Sequence, residues 1–438
     1  MYSQNGRFLG KTTTLVTCIC MLLLIGCSGN GALTEDALTS PASIATAETS
    51  VQPSVNNETP ATRVTDRQLV IWAPDLFQAS LDPTTNHPMV ALFEEFERNH
   101  PGVHIDVQIR ADGGEAGILD YLRSAQRVAP AILPDIMLVN TQQLWQVVEL
   151  GLLAPIDLAQ LDSATEFYPH ALLAATYNEQ LWGIPYVTDL VHAVYYTAES
   201  VTAPSTWEAL LGAQQPYLFA AGKSEDVNLF AYQQYLGAGG NPDIGIGTDE
   251  MALSSFFAFL AQAKADGIIP DEVLEVTDAD DVWQLFAAAD QGIAEISTHV
   301  AIQHLELFNN GMIQFVHSPT RTDNNETLAH VWAFAIVAGD VEQQALSLAL
   351  VKSFLQPNAH SAWSQTMMLI PTQPAVFELW RTPSAYYDFL QSQLVTAVPI
   401  PNGRRFVDVS RRLQYAQEMV LRSEMTADEA LFYVQSTP

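Results

Sequence analysis

Apolar residues along the chain recur at two spacings, and the two alternate. Leu69 to Ala73 is a continuous apolar run that stops at Pro74-Asp75, which predicts a strand over 68–73. Pro88 then opens a helix over 89–100. Val90, Leu92, Phe93 and Phe96 share one face of it, and Glu94, Glu95, Glu97 and Arg98 the other, before Pro101-Gly102 closes it. Val103, Ile105 and Val107 alternate as a second strand, and a further helix spans about 117–128. Ile136 to Val139, led by Pro134-Asp135, is the short apolar run of a buried parallel strand. The same style continues with helices over 204–213, 227–236, 249–266, 282–289, 341–355, 359–367, 409–423 and 427–435. Strands are predicted over 217–220, 292–297 and 331–337. Strands alternating with helices predict an α/β architecture with a parallel sheet. Ligands of such sheets sit beyond the carboxyl ends of strands, where Asp75, Asn140 and Thr141 stand.

The N-terminus follows another pattern. Arg7 and Lys11 precede an apolar run over 15–25 that is too short to span a bilayer, the pattern of a secretory signal. Leu24-Ile25-Gly26-Cys27 resembles the lipobox of bacterial lipoproteins. That resemblance implies a signal peptide over 1–26, a lipid on Cys27 and a protein anchored to a membrane outside the cytoplasm. Residues 28–66 are rich in Ser, Thr, Ala, Pro, Asn and Glu and lack aromatics, so 27–66 reads as a disordered tether.

Charge and cysteines narrow the chemistry. A formal net charge of −31 argues against nucleic acid or anionic headgroups as partners of the protein surface. Cys18 and Cys20 lie in the signal and Cys27 is the lipid site, which leaves no cysteine for a disulfide or a thiolate metal site. There is no G-x-S-x-G elbow, no P-loop and no G-x-G-x-x-G after a strand. His100 and His104 are separated by the helix-breaking Pro101-Gly102, and His299 and His304 are five apart, so neither pair reads as a metal site. The acidic run Asp278-Ala279-Asp280-Asp281 lacks the glycine and distal glutamate of a calcium loop and reads as a solvated helix cap. Carboxylates are numerous, but nothing in their spacing selects a pair for glycoside hydrolysis.

Five segments, in order, resemble the extracellular solute-binding proteins of ABC importers, the group that includes maltose-binding protein. They are Leu69-Val70-Ile71-Trp72; the run from Leu92 to Val103; Pro134-Asp135-Ile136-Met137 with the run from Gly151 to Asp157; the run from Tyr177 to Tyr186; and Pro204-Ser205-Thr206-Trp207-Glu208-Ala209-Leu210. The resemblance implies a two-lobed periplasmic-binding-protein-like (class II) α/β fold with a ligand cleft and a hinge between the lobes. Lobe one takes 67–187 with 298–334, and lobe two 188–297 with 335–438. Lobe closure on a solute, most readily a sugar or oligosaccharide, would present a monomer to ABC permease subunits, with no catalysis, metal or cofactor.

The same resemblance implies site residues. Asp189, just past the first hinge, aligns with an acidic residue that accepts hydrogen bonds from sugar hydroxyls. Asp75, Asn140 and Thr141 fall in loops that contact ligand in the family, and Ser297, Thr298 and His299 at a further contacting segment. Tyr186, Trp72, Trp332 and Phe406 are candidate stacking rings, each with a core role as the alternative. Val300 and Val407 stand where the family often carries tryptophan, which weakens the sugar reading. Arg404 and Arg405 fit an acidic solute or a surface helix start. Two other functions stay open at this point: a ligand-sensing lipoprotein that docks on a signalling receptor, and a secreted carboxylate-pair hydrolase.

Overall fold

Strand β1 (Arg67–Pro74) pairs in parallel with β2 (Val103–Arg110) on one side and β3 (Ile136–Asn140) on the other. Parallel pairing needs a long crossover, and the helices Pro88–Asn99 and Ile118–Val128 supply it. The computed structural model describes residues 66–436, apart from 82–86, 114–116, 163–164, 198–202, 224–228, 243–248, 323–325 and 381–383. The signal over 1–26, Cys27 and all of the tether except Asp66 lie outside the described residues.

Two short strands, β4 (Thr176–Tyr177) and β5 (Gln180–Leu181), form a hairpin. Its turn residues Asn178 and Glu179 have φ of 50° and 61°, the left-handed pair that a tight hairpin turn requires. β6 (Ile184–Tyr196) follows and is 13 residues long. The remaining strands are β7 (Tyr217–Leu218), β8 (Ile293–Ser297), β9 (Ile313–Val316), β10 (Leu328–Ile336), β11 (Ile370–Pro371) and β12 (Val398–Pro399). The main sheet runs β2-β1-β3-β10-β6-β8-β7. β10 is antiparallel to β3 and β6, and β6 is antiparallel to β8. The sheet is therefore mixed. The parallel arrangement expected from the alternation of strands and helices describes β1 to β3 and the β7–β8 and β10–β12 pairs.

Two cores hold the fold. The first is built on both faces of β1 and β3: Leu69, Ile71, Ile136 and Leu138 pack on one side, and Trp72, Met137, Val139 and Leu122 on the other. The second gathers Tyr217, Phe219, Phe256, Leu260 and Phe286. Burying each such side chain stabilises the fold by about 1.5–3 kcal/mol. β6 joins the cores. Ile184, Tyr186 and Val187 belong to the first, and Leu190, Ala193 and Val194 to the second. β10 runs back alongside, with Leu328, Ala329 and Val331 in the second core and Trp332, Phe334 and Ile336 in the first. A third crossing falls at Leu369–Ile370.

These crossings redraw the lobe boundaries expected from sequence. Val300, Ala301, Phe308 and Ile313 pack in the second core, although 298–334 was assigned to lobe one. Leu350, Val351, Phe354, Trp363 and Met367 pack in the first, although 335–438 was assigned to lobe two. The reason is β10, which carries the chain into the first core at Trp332 and leaves the helices Val341–Phe354 and Pro357–Met367 on that side.

Candidate functional site

Where the cores meet, β6 and β10 pair through His330 opposite Asp189, Val331 opposite Thr188 and Trp332 opposite Val187. Asp189 is held here by the start of the helix Thr298–Gln303, which follows β8 directly. Its Oδ1 accepts the His299 backbone N–H at 3.0 Å, its own neighbour Leu190 N–H at 3.0 Å, and the Thr298 hydroxyl. Oδ2 accepts none of these. Burial pushes the Asp189 carboxyl up to about 7, and the negative charge of Asp280 adds to the rise. The Thr298 hydroxyl and His299 oppose it.

A cavity of about 280 Å³ opens over this point, lined from both cores. Asp75, Asn140, Asp189, Ser297, His299 and Trp332, all expected from sequence, lie along it. Asp75 is exposed at the end of β1, where its Oδ1 accepts the Leu76 N–H at 3.0 Å. Asn140 ends β3 and caps the helix Thr141–Glu149, accepting the Gln142 N–H at 3.0 Å. Ser297 caps the helix at Thr298 and donates its hydroxyl to Asp280. Trp332 is 5% exposed, and its indole N–H is buried with no partner among the described residues.

Five expected residues lie elsewhere. Trp72 is buried in the first core, with its indole N–H donated to Gln108 Oε1 at 3.1 Å. Thr141 is buried in the first turn of its helix. Tyr186 is packed between His360, Trp363 and Phe334, with ring centroids 4.3, 4.8 and 4.7 Å away. Thr298 is fully buried and acts on Asp189 from behind the cavity wall. Phe406 is buried in the second core with an edge contact to Tyr232 at 5.0 Å. For the three rings the core alternative is the one the structure adopts. Arg404 and Arg405 are exposed at the start of the helix Arg404–Leu421 and do not line the cavity.

Sequence reasoning missed several lining residues. Asp278 caps the helix Ala279–Ala289 through the Asp280 N–H at 2.8 Å, which is the cap role expected of it. Yet Asp278 and Asp280 also line the cavity. Glu295 hides in the apolar strand β8, where the Tyr217 and Ser318 hydroxyls each donate to it at 2.5 Å. Gln234 amide donates to Tyr217 Oη at 3.4 Å, and the Trp207 indole N–H to Gln234 Oε1 at 2.7 Å, so Glu295 ends a buried polar chain. Burial raises its carboxyl to about 7. His330 lies against Trp332, ring centroids 4.1 Å apart, and burial lowers it to about 4, so it is neutral near pH 7. The only sequence signal for any of these was the Asp278–Asp281 run, which points equally well to a solvated cap.

Chemically the cavity offers carboxylate oxygens, the side-chain amides of Asn140 and Gln142 and the rings of Phe230 and Trp332. That set suits a ligand bearing many hydroxyls. Among the described residues, no three His, Cys, Asp or Glu side chains are grouped so as to hold a metal ion. No helix among those residues is long and apolar enough to cross a membrane.

A family model described as bacterial extracellular solute-binding protein matches residues 91–386. The chain belongs to that family. Its members are extracytoplasmic binding proteins. No curated protein sequence matches the chain. Among solved structures, maltose-bound MalE3 of T. maritima is 14% identical, with a TM-score of 0.68 over 84% of this chain and 98% of its own. The sugar-binding protein MalE from Xanthomonas citri is 17% identical, at 0.65 over 84% and 96%. The GacH receptor of Streptomyces glaucescens, solved unliganded and with acarbose, is 18% identical, at 0.63 over 84% and 96%. At these identities the likeness shows the fold: this solute-binding protein shares the two-lobed α/β architecture of maltose-binding proteins.

Proposed function

We propose that this solute-binding protein captures a sugar or oligosaccharide in the cavity between its two cores and delivers it to an ABC transporter permease. The observation that carries the reading is Asp189. It sits on the strand that joins the cores, and it lines a cavity furnished with hydroxyl-binding groups from both sides. Solved relatives of the same fold are described with maltose and with acarbose, which supports the ligand class. Three crossings side by side, on antiparallel strands, make a natural bending axis, so a solute that touches both cores favours the closed form over the open one. Added to the purified protein, the right sugar should raise the melting temperature and shrink the radius of gyration in solution scattering. A saturating sugar that raises the melting temperature and leaves the scattering unchanged would rule out lobe closure.

Anchoring by lipid at Cys27 belongs to the same proposal and rests on the Leu24-Ile25-Gly26-Cys27 pattern. Full-length protein should partition with membranes, and Cys27→Ser should release it. Firm attachment needs more than one acyl chain. Mass spectrometry finding an unmodified mature N-terminus would end the idea.

A further inference from the structure

We propose that Thr298 is a positioning residue for solute binding: from behind the cavity wall, its hydroxyl fixes which oxygen of Asp189 meets the solute. The proposal rests on the saccharide reading above and deepens it. Thr298 is fully buried and does not line the cavity, so it touches no solute itself. Its Oγ1 accepts the Leu190 N–H at 3.2 Å, and its hydroxyl donates to Asp189 Oδ1. A hydroxyl has one proton, and here the carboxylate takes it.

Two further donors meet the same oxygen. The backbone N–H groups of Leu190 and His299 each reach Asp189 Oδ1 at 3.0 Å. The His299 N–H is one of the first-turn groups that a helix leaves without an intrahelical partner. Oδ2 accepts from none of the described residues and is not sealed off, on a side chain that lines the cavity. Turning the carboxylate would break all three bonds at Oδ1. Of the three donors, only the Thr298 hydroxyl comes from a side chain, so it is the one that a substitution can remove. Ser297, the residue before it, donates to Asp280 in the same way, so two successive hydroxyls orient two carboxylates of one cavity.

The geometry also places the proton. An ionised Asp189 offers Oδ2 as an acceptor for a solute hydroxyl. A protonated Asp189 carries its proton on Oδ2, because three donors already crowd Oδ1, and the acceptor becomes a donor. The Thr298 hydroxyl favours the ionised form, against the rise to about 7 that burial and the Asp280 charge cause. The other titratable groups facing Asp189 are His299, His330 opposite on β10, and Tyr386 on the helix Ala385–Thr396. Burial keeps His330 and Tyr386 neutral near pH 7. Glu295, on the neighbouring strand β8, is taken up by the Tyr217 and Ser318 hydroxyls.

The test is calorimetry on the purified protein and two variants from about pH 5 to pH 9, a range that brackets the Asp189 titration. The probes are glucose, galactose, tagatose, cellobiose, maltose and maltotetraose, and the tightest is carried through. Thr298→Val replaces the hydroxyl by a methyl. It should weaken binding about tenfold at pH 7 and move the midpoint of the affinity–pH curve up by about one unit, the worth of one hydrogen bond to a charged group. Thr298→Ser keeps the hydroxyl and should stay within about twofold of the parent. If Thr298→Val does not fold, Thr298→Ala removes the hydroxyl in its place. Parent-like affinity and midpoint without the hydroxyl would overturn the proposal and leave saccharide capture standing. Equal weakening in both variants with an unmoved midpoint would overturn it too, because packing alone would then account for Thr298. If none of the sugars bound the parent, saccharide capture would fall. Urea midpoints would then decide the role of Thr298: loss of stability continuing about one pH unit higher in Thr298→Val than in Thr298→Ser would support its hold on Asp189, and identical profiles would overturn it.

Discussion

Asp189→Asn is expected to weaken solute binding by roughly 10- to 150-fold, the range set by losing one charged hydrogen bond. The asparagine oxygen can still accept from the Leu190 and His299 N–H groups and the Thr298 hydroxyl, so the fold should persist. Asp189→Ala should do more. It strands the His299 N–H and the Thr298 hydroxyl, while the Leu190 N–H keeps Thr298 Oγ1 at 3.2 Å as a second acceptor. Each unpaired group costs about 1–3 kcal/mol, so a loss of about 3 kcal/mol is expected.

The pH dependence separates the two effects. The Asp189 carboxyl is raised from 3.8 to about 7 in the folded protein. A raised carboxyl means that the folded state holds its proton longer, so its contribution to stability is present below about pH 4 and is lost as pH rises to about 7. Burial is the main cause of that rise and the Asp280 carboxylate adds to it, while His330, opposite on β10, is neutral because burial lowers it to about 4. Asp189→Asn should therefore flatten the stability profile between pH 4 and 7. Glu295, also raised to about 7, should leave part of the slope. Urea midpoints across that range decide it. A slope identical to the parent's would show that Asp189 ionises normally.

The second large effect is expected at Tyr186. Its ring is 1% exposed and lies against His360, Trp363, Phe334 and Phe354. Truncating a ring in such a place removes burial and leaves a cavity. Tyr186→Ala should cost about 3–5 kcal/mol. Tyr186→Phe keeps the ring and should cost under about 1.5 kcal/mol. Solute affinity, measured where the variant is still folded, should stay within about twofold of the parent. Unchanged stability with lost binding would instead return Tyr186 to the cleft as a stacking ring.

Much of the fold was legible because it rests on local patterning. The amphipathic stripe of Val90, Leu92, Phe93 and Phe96 places the helix Pro88–Asn99 within a residue. The buried run at Ile136 places β3. β6 was not legible as a strand. Thr188, Asp189 and His192 interrupt its apolar pattern, and the interruption is where the strand leaves one core for the other. Tyr186 and Phe406 show the same blind spot from the other side. A ring near a hinge motif looks like a ligand platform until its neighbours are known, and those neighbours, His360 for one and Tyr232 for the other, lie more than 170 residues away in sequence.

By itself the sequence determined the alternation of strands and helices and the membership implied by five ordered motifs, and it singled out Asp189 as a candidate. Each depends on periodicity or on contiguous residues. The tertiary structure alone decided which face each candidate presents. Helix capping and cavity lining ask for the same residue types, so Asp278 and Asn140 could do both only because the chain brings their helix starts to the crossing of β6 and β10. Glu295 entered the site because β8 ends beside Asp189, with Ser297 paired to Val191. Contacts of that kind join residues about a hundred positions apart, and no local pattern encodes them.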